Sequence, residues 1–406
     1  MNYFGCGDIG AGLVAERVTY WGGIVNCFFG GYDQMACSMV EDWIMSGRFF
    51  CRAGEGMLTI LSIFDAGVKK PTLHMVFRKA GSQFNSIETV FNALMPFFET
   101  AFELRRIELP ERTHGPLSMR RNRRFIRRTC KGGDIMHVTG HDNYVVSAAS
   151  APTVLTLHDI GSAFTNSTLR DAFIGRYWFA GPLVTATAVT VISEFSRREL
   201  VARYPRAATR CRVVPNPVDP RIRFFPAAFN SARPTILQVG TKPNKNLARV
   251  AAALAGIPCK LLILGKLAPA DVAILRQYNI DFESRYALPY DDVLALYRAA
   301  DMVLYASLYE GFGMPVLEAQ ATGRPVITSR VAALPETAGE GACLVDPQSV
   351  QQIREAVQRV AGDAGYREAL VEQGRVNVAR FSAESVAAEY MKLYNEILNM
   401  TEDLCI

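Results

Sequence analysis

The 406-residue chain has no run of 18 or more apolar residues, which excludes an ordinary membrane-spanning helix. The nearest approach, Tyr177 to Ile192, is broken by Gly181 and Pro182 and reads as the end of a helix followed by a buried strand. The start lacks a charged leader followed by an apolar core, so it is not a secretory signal. Nine cysteines lie scattered without a C-x-x-C pair or metal-like clustering, and an odd count at irregular spacing predicts reduced thiols in a cytoplasmic protein. The formal charge of +5 is too mild to argue for nucleic acid as a partner. No G-x-G-x-x-G follows a strand with an acidic residue about 20 positions on, which counts against a Rossmann oxidoreductase. No D-x-D-like cluster sits in a suitable loop, so no metal is expected.

What is present is an ordinary globular composition, 50% hydrophobic and 20% charged, in a chain long enough for two cores. Residues 1–70 differ from the rest: they hold 12 of the 31 glycines and 4 of the 9 cysteines, with no sustained helical or strand period. They read as a poorly defined or appended N-terminal extension; a later natural start, for example at Met75, is the other reading and would leave them outside the natural protein. The run GCGDIGAG at Gly5 to Gly12 resembles a dinucleotide turn but has no adequate strand before it.

From Pro71 onward strands and helices alternate, which predicts parallel sheets with right-handed crossovers. Thr72 to Phe77 is the first strand, Ile87 to Met95 a helix and Phe102 to Leu109 the second strand. Gly81 and Ser82 lie in the first strand-to-helix loop, where a parallel sheet places ligands, although a simple tight turn accounts for them equally. Thr153 to Leu157 is a strand that delivers His158 to its C-terminal end, either facing a cleft or satisfied by internal hydrogen bonds. Ser193 is placed to cap the helix SEFSRREL. Met119 to Lys131 carries seven basic residues, open to three readings: a solvated helix face, attraction to anionic lipid headgroups, or nucleic-acid binding, for which aromatic residues are too few. Arg212 to Pro220, with three prolines, reads as an interdomain linker. The domains are therefore expected at 71–217 and 218–382, with an amphipathic helix at 383–399.

The second half centres on Tyr309 to Pro325, YEGFGMPVLEAQATGRP, between the apolar runs Asp301 to Ala306 and Val326 to Thr328. Gly311 and Gly313 let backbone approach a ligand, Pro315 suits a first helical turn, and Gly323 with Pro325 ends the helix. A strand, a glycine turn and a helix N-terminus make an anion site, and Glu310 and Glu318 add acceptors for hydroxyl groups. Lys242 and Lys245 in GTKPNKN point to an anion at a second such junction. Phosphate plus hydroxyls suggests a nucleotide or nucleotide sugar.

The E-x7-E pair Glu310 and Glu318 around GFG, with LYRAADMVLYASLYEG upstream, GRPVITS and LPETAG downstream and GTKPNKN, resembles family-4 retaining glycosyltransferases of the GT-B fold. The resemblance implies two Rossmann-like domains facing a cleft, with the last helix crossing back to the first. It assigns Lys245, with Gly240 and Thr241, to the donor diphosphate, and gives Lys242 the place of a second cation. Glu318 falls to the ribose; Glu310 with Gly311, Phe312 and Gly313 to the sugar; His158 to the side of the transferred sugar; Gly81 and Ser82 to a loop closing on phosphate or acceptor. The implied activity is metal-independent transfer of a hexose from a nucleotide-diphosphate sugar, with retention, to a glycan, lipid-linked or small-molecule acceptor in cell-surface glycoconjugate synthesis. No cofactor is implied beyond that co-substrate, and the NKN run suggests mannose. The other reading is a non-catalytic binding or scaffold protein of the same shape.

Overall fold

The computed structural model describes residues 15–21, 24–29, 49–54 and 57–62 by their backbone, and beyond these residues 70–79, 86–112, 115–131, 133–161 and 168–403. The chain divides into two compact units, Met1–Lys70 and Pro71–Ile406. In the first, where the sequence shows no sustained period, the described residues nonetheless form four strands: β1 (Ala15–Trp21), β2 (Ile24–Phe29), β3 (Phe49–Gly54) and β4 (Met57–Ser62). They form an antiparallel sheet in the order β1-β2-β4-β3. In sequence, Gly22 and Gly23 separate Trp21 from its partner Ile24. The run Gly5 to Gly12 lies outside the described residues.

The second unit holds two parallel six-stranded sheets. The first comprises β5 (Thr72–Phe77), β6 (Glu103–Glu108), β7 (Ile135–Val138), β8 (Thr153–Leu157), β9 (Ala188–Val191) and β10 (Cys211–Val213), in the order β10-β9-β8-β7-β5-β6. All six residues of β5 are buried, as expected where helices cover both faces. Its side chains alternate between two cores: Leu73, Met75 and Phe77 pack with the helix Ser86–Phe98, and Val76 with the opposite layer.

The second sheet comprises β11 (Thr235–Val239), β12 (Lys260–Leu264), β13 (Phe282–Arg285), β14 (Met302–Tyr305), β15 (Val326–Ser329) and β16 (Cys343–Val345), ordered β13-β12-β11-β14-β15-β16. Chain order reverses between β11 and β14 here and between β5 and β7 in the first sheet. In parallel sheets, crevices for ligands open beyond the strand ends at such reversals.

The last helix, Ala383–Asp403, lies on the first sheet, with Val386, Tyr390, Leu393 and Tyr394 in the core built around β5. Below it, the buried His137 bridges Tyr394 Oη (2.6 Å) and Thr156 Oγ1 (2.7 Å), and Thr156 also meets Tyr390 Oη at 3.1 Å. One sequence expectation here needs correction. Arg212 and Val213 belong to β10, not to a linker, because the strand is three residues long and Pro215 follows it closely. The run Tyr177 to Ile192 is, as expected, the end of a helix, closing at Thr185, followed by the buried strand β9; a π-helical turn at Gly175–Ala180 leads into Gly181 and Pro182.

Candidate functional site

At the reversal in the second sheet, β11 runs into Gly240, whose φ of +91° suits glycine. A Cβ there would lie 2.9 Å from Lys245 Cε, so the missing side chain is what lets Lys245 fold across the loop. A short 3-10 turn, Pro243–Lys245, brings the lysine round, and Asn246 then pins the loop to the neighbouring strand ends, donating to Ala306 O (3.0 Å) and Pro347 O (2.6 Å). Lys245 Nζ donates to Glu310 Oε1 and to Tyr305 Oη, each at 2.5 Å. Asn244 Nδ2 adds a bond to the same carboxylate oxygen at 3.2 Å. Both members of the ion pair keep about one-sixth of their side-chain surface accessible, 16% and 15%, so an incoming anion can reach the lysine. Burial, with Glu310 next, holds the Tyr305 phenol well above its usual range, so it stays protonated.

The loop after β14 turns its carbonyls inward. Glu310 O accepts from Ala333 N, Gly311 O from Ser193 Oγ (2.7 Å) and Ser196 Oγ (3.2 Å), and Phe312 O from Thr337 Oγ1 (2.8 Å). Among the described residues the N–H groups of Gly311, Phe312 and Gly313 have no protein acceptor. Three consecutive amides with that freedom form a cradle for oxygen ligands. The Phe312 ring contributes nothing to it, being buried against Phe381. Gly313, at φ +117°, begins the helix Met314–Thr322, and Gly323, at φ +82°, ends it as the sequence predicts. Within that helix Glu318 accepts from Tyr297 Oη at 2.5 Å, and burial raises its carboxyl pKa.

Of the other expected residues, Thr241 is tied by its hydroxyl to Lys266 O (2.8 Å) and packs on Gly265, while Lys242 is exposed at the start of the 3-10 turn. Gly81 and Ser82 lie outside the described residues. His158 stands at the C-terminal end of β8 and bonds through Nε2 to Thr139 O at 2.8 Å. A carbonyl can only accept, so Nε2 carries the proton. Burial pushes the ring pKa down to about 4, and the histidine is neutral near pH 7. A Cβ on Gly140 would meet its ring at 2.8 Å, and one on Gly311 would lie 3.4 Å from its carbonyl oxygen. His158 is thus both internally bonded and adjacent to the amide cradle.

Sequence reasoning misses several participants. Tyr305, Asn244 and Tyr297 position Lys245, Glu310 and Glu318, yet carry no motif of their own. Arg78 grips the buried Glu88 through two bonds of 2.8 and 3.0 Å at the reversal in the first sheet. Although burial opposes it, Arg78 holds the Glu88 carboxyl below its usual range. Between the two halves, Tyr309 Oη donates to Glu199 Oε2 at 2.6 Å, and Glu336 accepts from Glu194 N and Phe195 N, both at 3.0 Å. Ser193 and the LPETAG run are legible as a cap and a motif; their meeting is not. Among the described residues no group of three or more His, Cys, Asp or Glu side chains could hold a metal.

Two family models match this chain: Glycosyltransferase Family 4 over residues 95–222, and Glycosyl transferases group 1 over residues 233–363. Among curated relatives, the O-antigen chain mannosyltransferase B of Escherichia coli is 27% identical over 267 residues, 59% of this chain and 69% of that protein. The D-inositol 3-phosphate glycosyltransferase of Corynebacterium urealyticum is 36% identical over 117 residues, 28% of each chain. In fold, sucrose-phosphate synthase from Thermosynechococcus elongatus aligns with a TM-score of 0.66 at 21% identity, over 82% of this chain and 100% of that one.

Proposed function

This chain belongs to the family-4, group 1 glycosyltransferases of the GT-B fold, and on that premise we propose that it moves a hexose from a nucleotide-diphosphate sugar to an acceptor hydroxyl, with retention at the anomeric carbon and without a metal. The observation that carries the reading is the Lys245–Glu310 pair beside three unengaged loop amides at the reversal of the second sheet. In this reading the donor diphosphate takes Lys245 from Glu310, with Gly240, Thr241 and Lys242 alongside. Glu318 binds the ribose hydroxyls, Glu310 and the amides of Gly311 to Gly313 bind the sugar, and His158 borders it. Gly81 and Ser82 belong to the acceptor or phosphate side.

The anomeric C–O bond to phosphate breaks, the bond to the acceptor oxygen forms on the same face, and the acceptor proton passes to the departing diphosphate. Lys245 and the helix N-termini at the strand ends stabilise that dianion; donors fixed in advance in this way are worth about 3 to 4 kcal/mol each. Front-face return of this kind needs no covalent intermediate on Glu310, whose carboxylate is given to the sugar hydroxyls. The similarity to an O-antigen mannosyltransferase supports mannose as the sugar and a glycan or lipid-linked acceptor.

The helix Pro116–Thr129 supports a further element of the reading, peripheral contact with an anionic membrane at the cytoplasmic face. It buries Met119, Asn122 and Ile126 and turns Leu117, Arg120, Arg124 and Arg128 outward. No helix among the described residues is long and apolar enough to cross a membrane.

The test is to incubate the chain with GDP-, UDP- and ADP-sugars, following melting temperature and sugar release. One nucleotide should raise the melting temperature. Lys245→Ala should abolish that rise and cut turnover by about 10²- to 10³-fold. A wild-type chain inert towards every nucleotide sugar would overturn the proposal in favour of a non-catalytic role.

A further inference from the structure

The two halves of the second unit are joined at the very loop that carries the amide cradle. Ser193 caps the helix Glu194–Arg203: its Oγ accepts from Ser196 N at 3.0 Å. The same hydroxyl donates to Gly311 O, so one side chain both starts a helix of the first half and fixes a carbonyl of the second. Next to it, the two oxygens of Glu336 take the next amides of that helix, Glu194 N and Phe195 N, one each. Glu336 belongs to the helix Leu334–Ala338, whose Thr337 holds the Phe312 carbonyl. A carboxylate on free helical amides at the positive end of a helix dipole is a favourable, charge-assisted arrangement. Tyr309, just before Glu310, adds a third tie through Glu199 and packs its ring edge-on to Phe195.

We propose that Glu336 is a positioning residue: by capping the first-half helix from the second half, it seats Ser193 and Ser196 on the Gly311 carbonyl, which aims the three loop amides at the sugar and keeps His158 beside them. This rests on the transfer reading above. Nucleotide contacts assigned to Lys245 and Glu318 lie wholly in the second half and do not depend on the latch. The sugar pocket does, since Gly311 is fixed from the first half. Removing Glu336 should therefore separate nucleotide binding from turnover, which a general loss of structure would not do.

The experiment compares wild type with Glu336→Ala and Glu336→Gln. It measures affinity for GDP, UDP and ADP by calorimetry, transfer kinetics with the nucleotide sugar that wild type accepts, and hydrogen exchange at the Glu194 and Phe195 amides. The expected result for Glu336→Ala is nucleoside diphosphate affinity within about twofold of wild type, kcat lower by roughly 10- to 100-fold, and faster exchange at both amides. Glu336→Gln, which keeps one carbonyl oxygen as acceptor, should recover part of the rate and protect one amide. Unchanged kcat in Glu336→Ala, or nucleotide affinity falling as steeply as kcat, overturns the proposal. If wild type binds no nucleoside diphosphate, it is the transfer reading that fails. The latch then stands or falls on exchange alone, and equal protection of the two amides in wild type and Glu336→Ala refutes it.

Discussion

Lowering the pH from about 7.5 to about 5 should destabilise the second unit through two histidines that fold in their neutral form. His137 is fully buried under the last helix, and burial pushes its pKa from 6.5 to about 3, with the neighbouring His158 adding to the effect. His158 is pushed to about 4. A histidine whose folded pKa is depressed takes up its proton more readily when unfolded. Its contribution is therefore complete above about pH 6.5 and is lost as pH falls through that value towards the folded pKa. At about pH 5 the unfolded ring is almost fully charged and the folded ring is not, which amounts to about 2 kcal/mol for each histidine, or about 4 kcal/mol together. That is a large part of a typical stability of about 5 to 15 kcal/mol. The assay is urea unfolding followed by far-ultraviolet circular dichroism, since the described helices all lie beyond residue 70. His137→Gln retains hydrogen-bonding capacity towards Tyr394 and Thr156 but cannot titrate. Its acid-induced loss should be smaller than that of wild type by about 2 kcal/mol. Equal losses in the two proteins would refute the reasoning.

Gly240→Ala should weaken nucleoside diphosphate binding about tenfold or more in calorimetry, because the new methyl group displaces Lys245 and forces a side chain into a left-handed backbone. For the basic helix, co-sedimentation with phosphatidylserine vesicles should exceed that with neutral vesicles and fade with added salt; Arg124→Glu with Arg128→Glu should abolish it, each arginine being worth about 1 kcal/mol.

Much of the site could be read from the sequence where its determinants are local. Gly311, Gly313, Pro315 and Gly323 punctuate a strand–turn–helix unit, and the structure places each at the turn or cap expected of it. Lys245 and Glu310 were legible as separate anion and hydroxyl ligands, but their pairing was not. They are 65 residues apart, and only the order β11-β14 brings their loops together. Glu336 escaped for a similar reason: in its own half it is one acidic residue in a short helix, and its partners are amides of the other half, which have no side-chain signature. The strand β10 was hidden by the prolines that follow it, since Cys211 to Val213 is too short for its apolar character to stand out.

If His158 borders the sugar as proposed, its hydrogen bond to the Thr139 carbonyl also limits what that ring can offer a substrate. With Nε2–H committed and the ring uncharged above about pH 4, the other nitrogen has only a lone pair to offer. The residue can recognise a hydroxyl that donates to it, but it cannot hand a proton to a departing group or attract an anion. A substrate whose facing hydroxyl is replaced by fluorine or a methoxy group, neither of which can donate, should be discriminated against at this position. One whose hydroxyl is kept should be accepted whatever the pH within the neutral range.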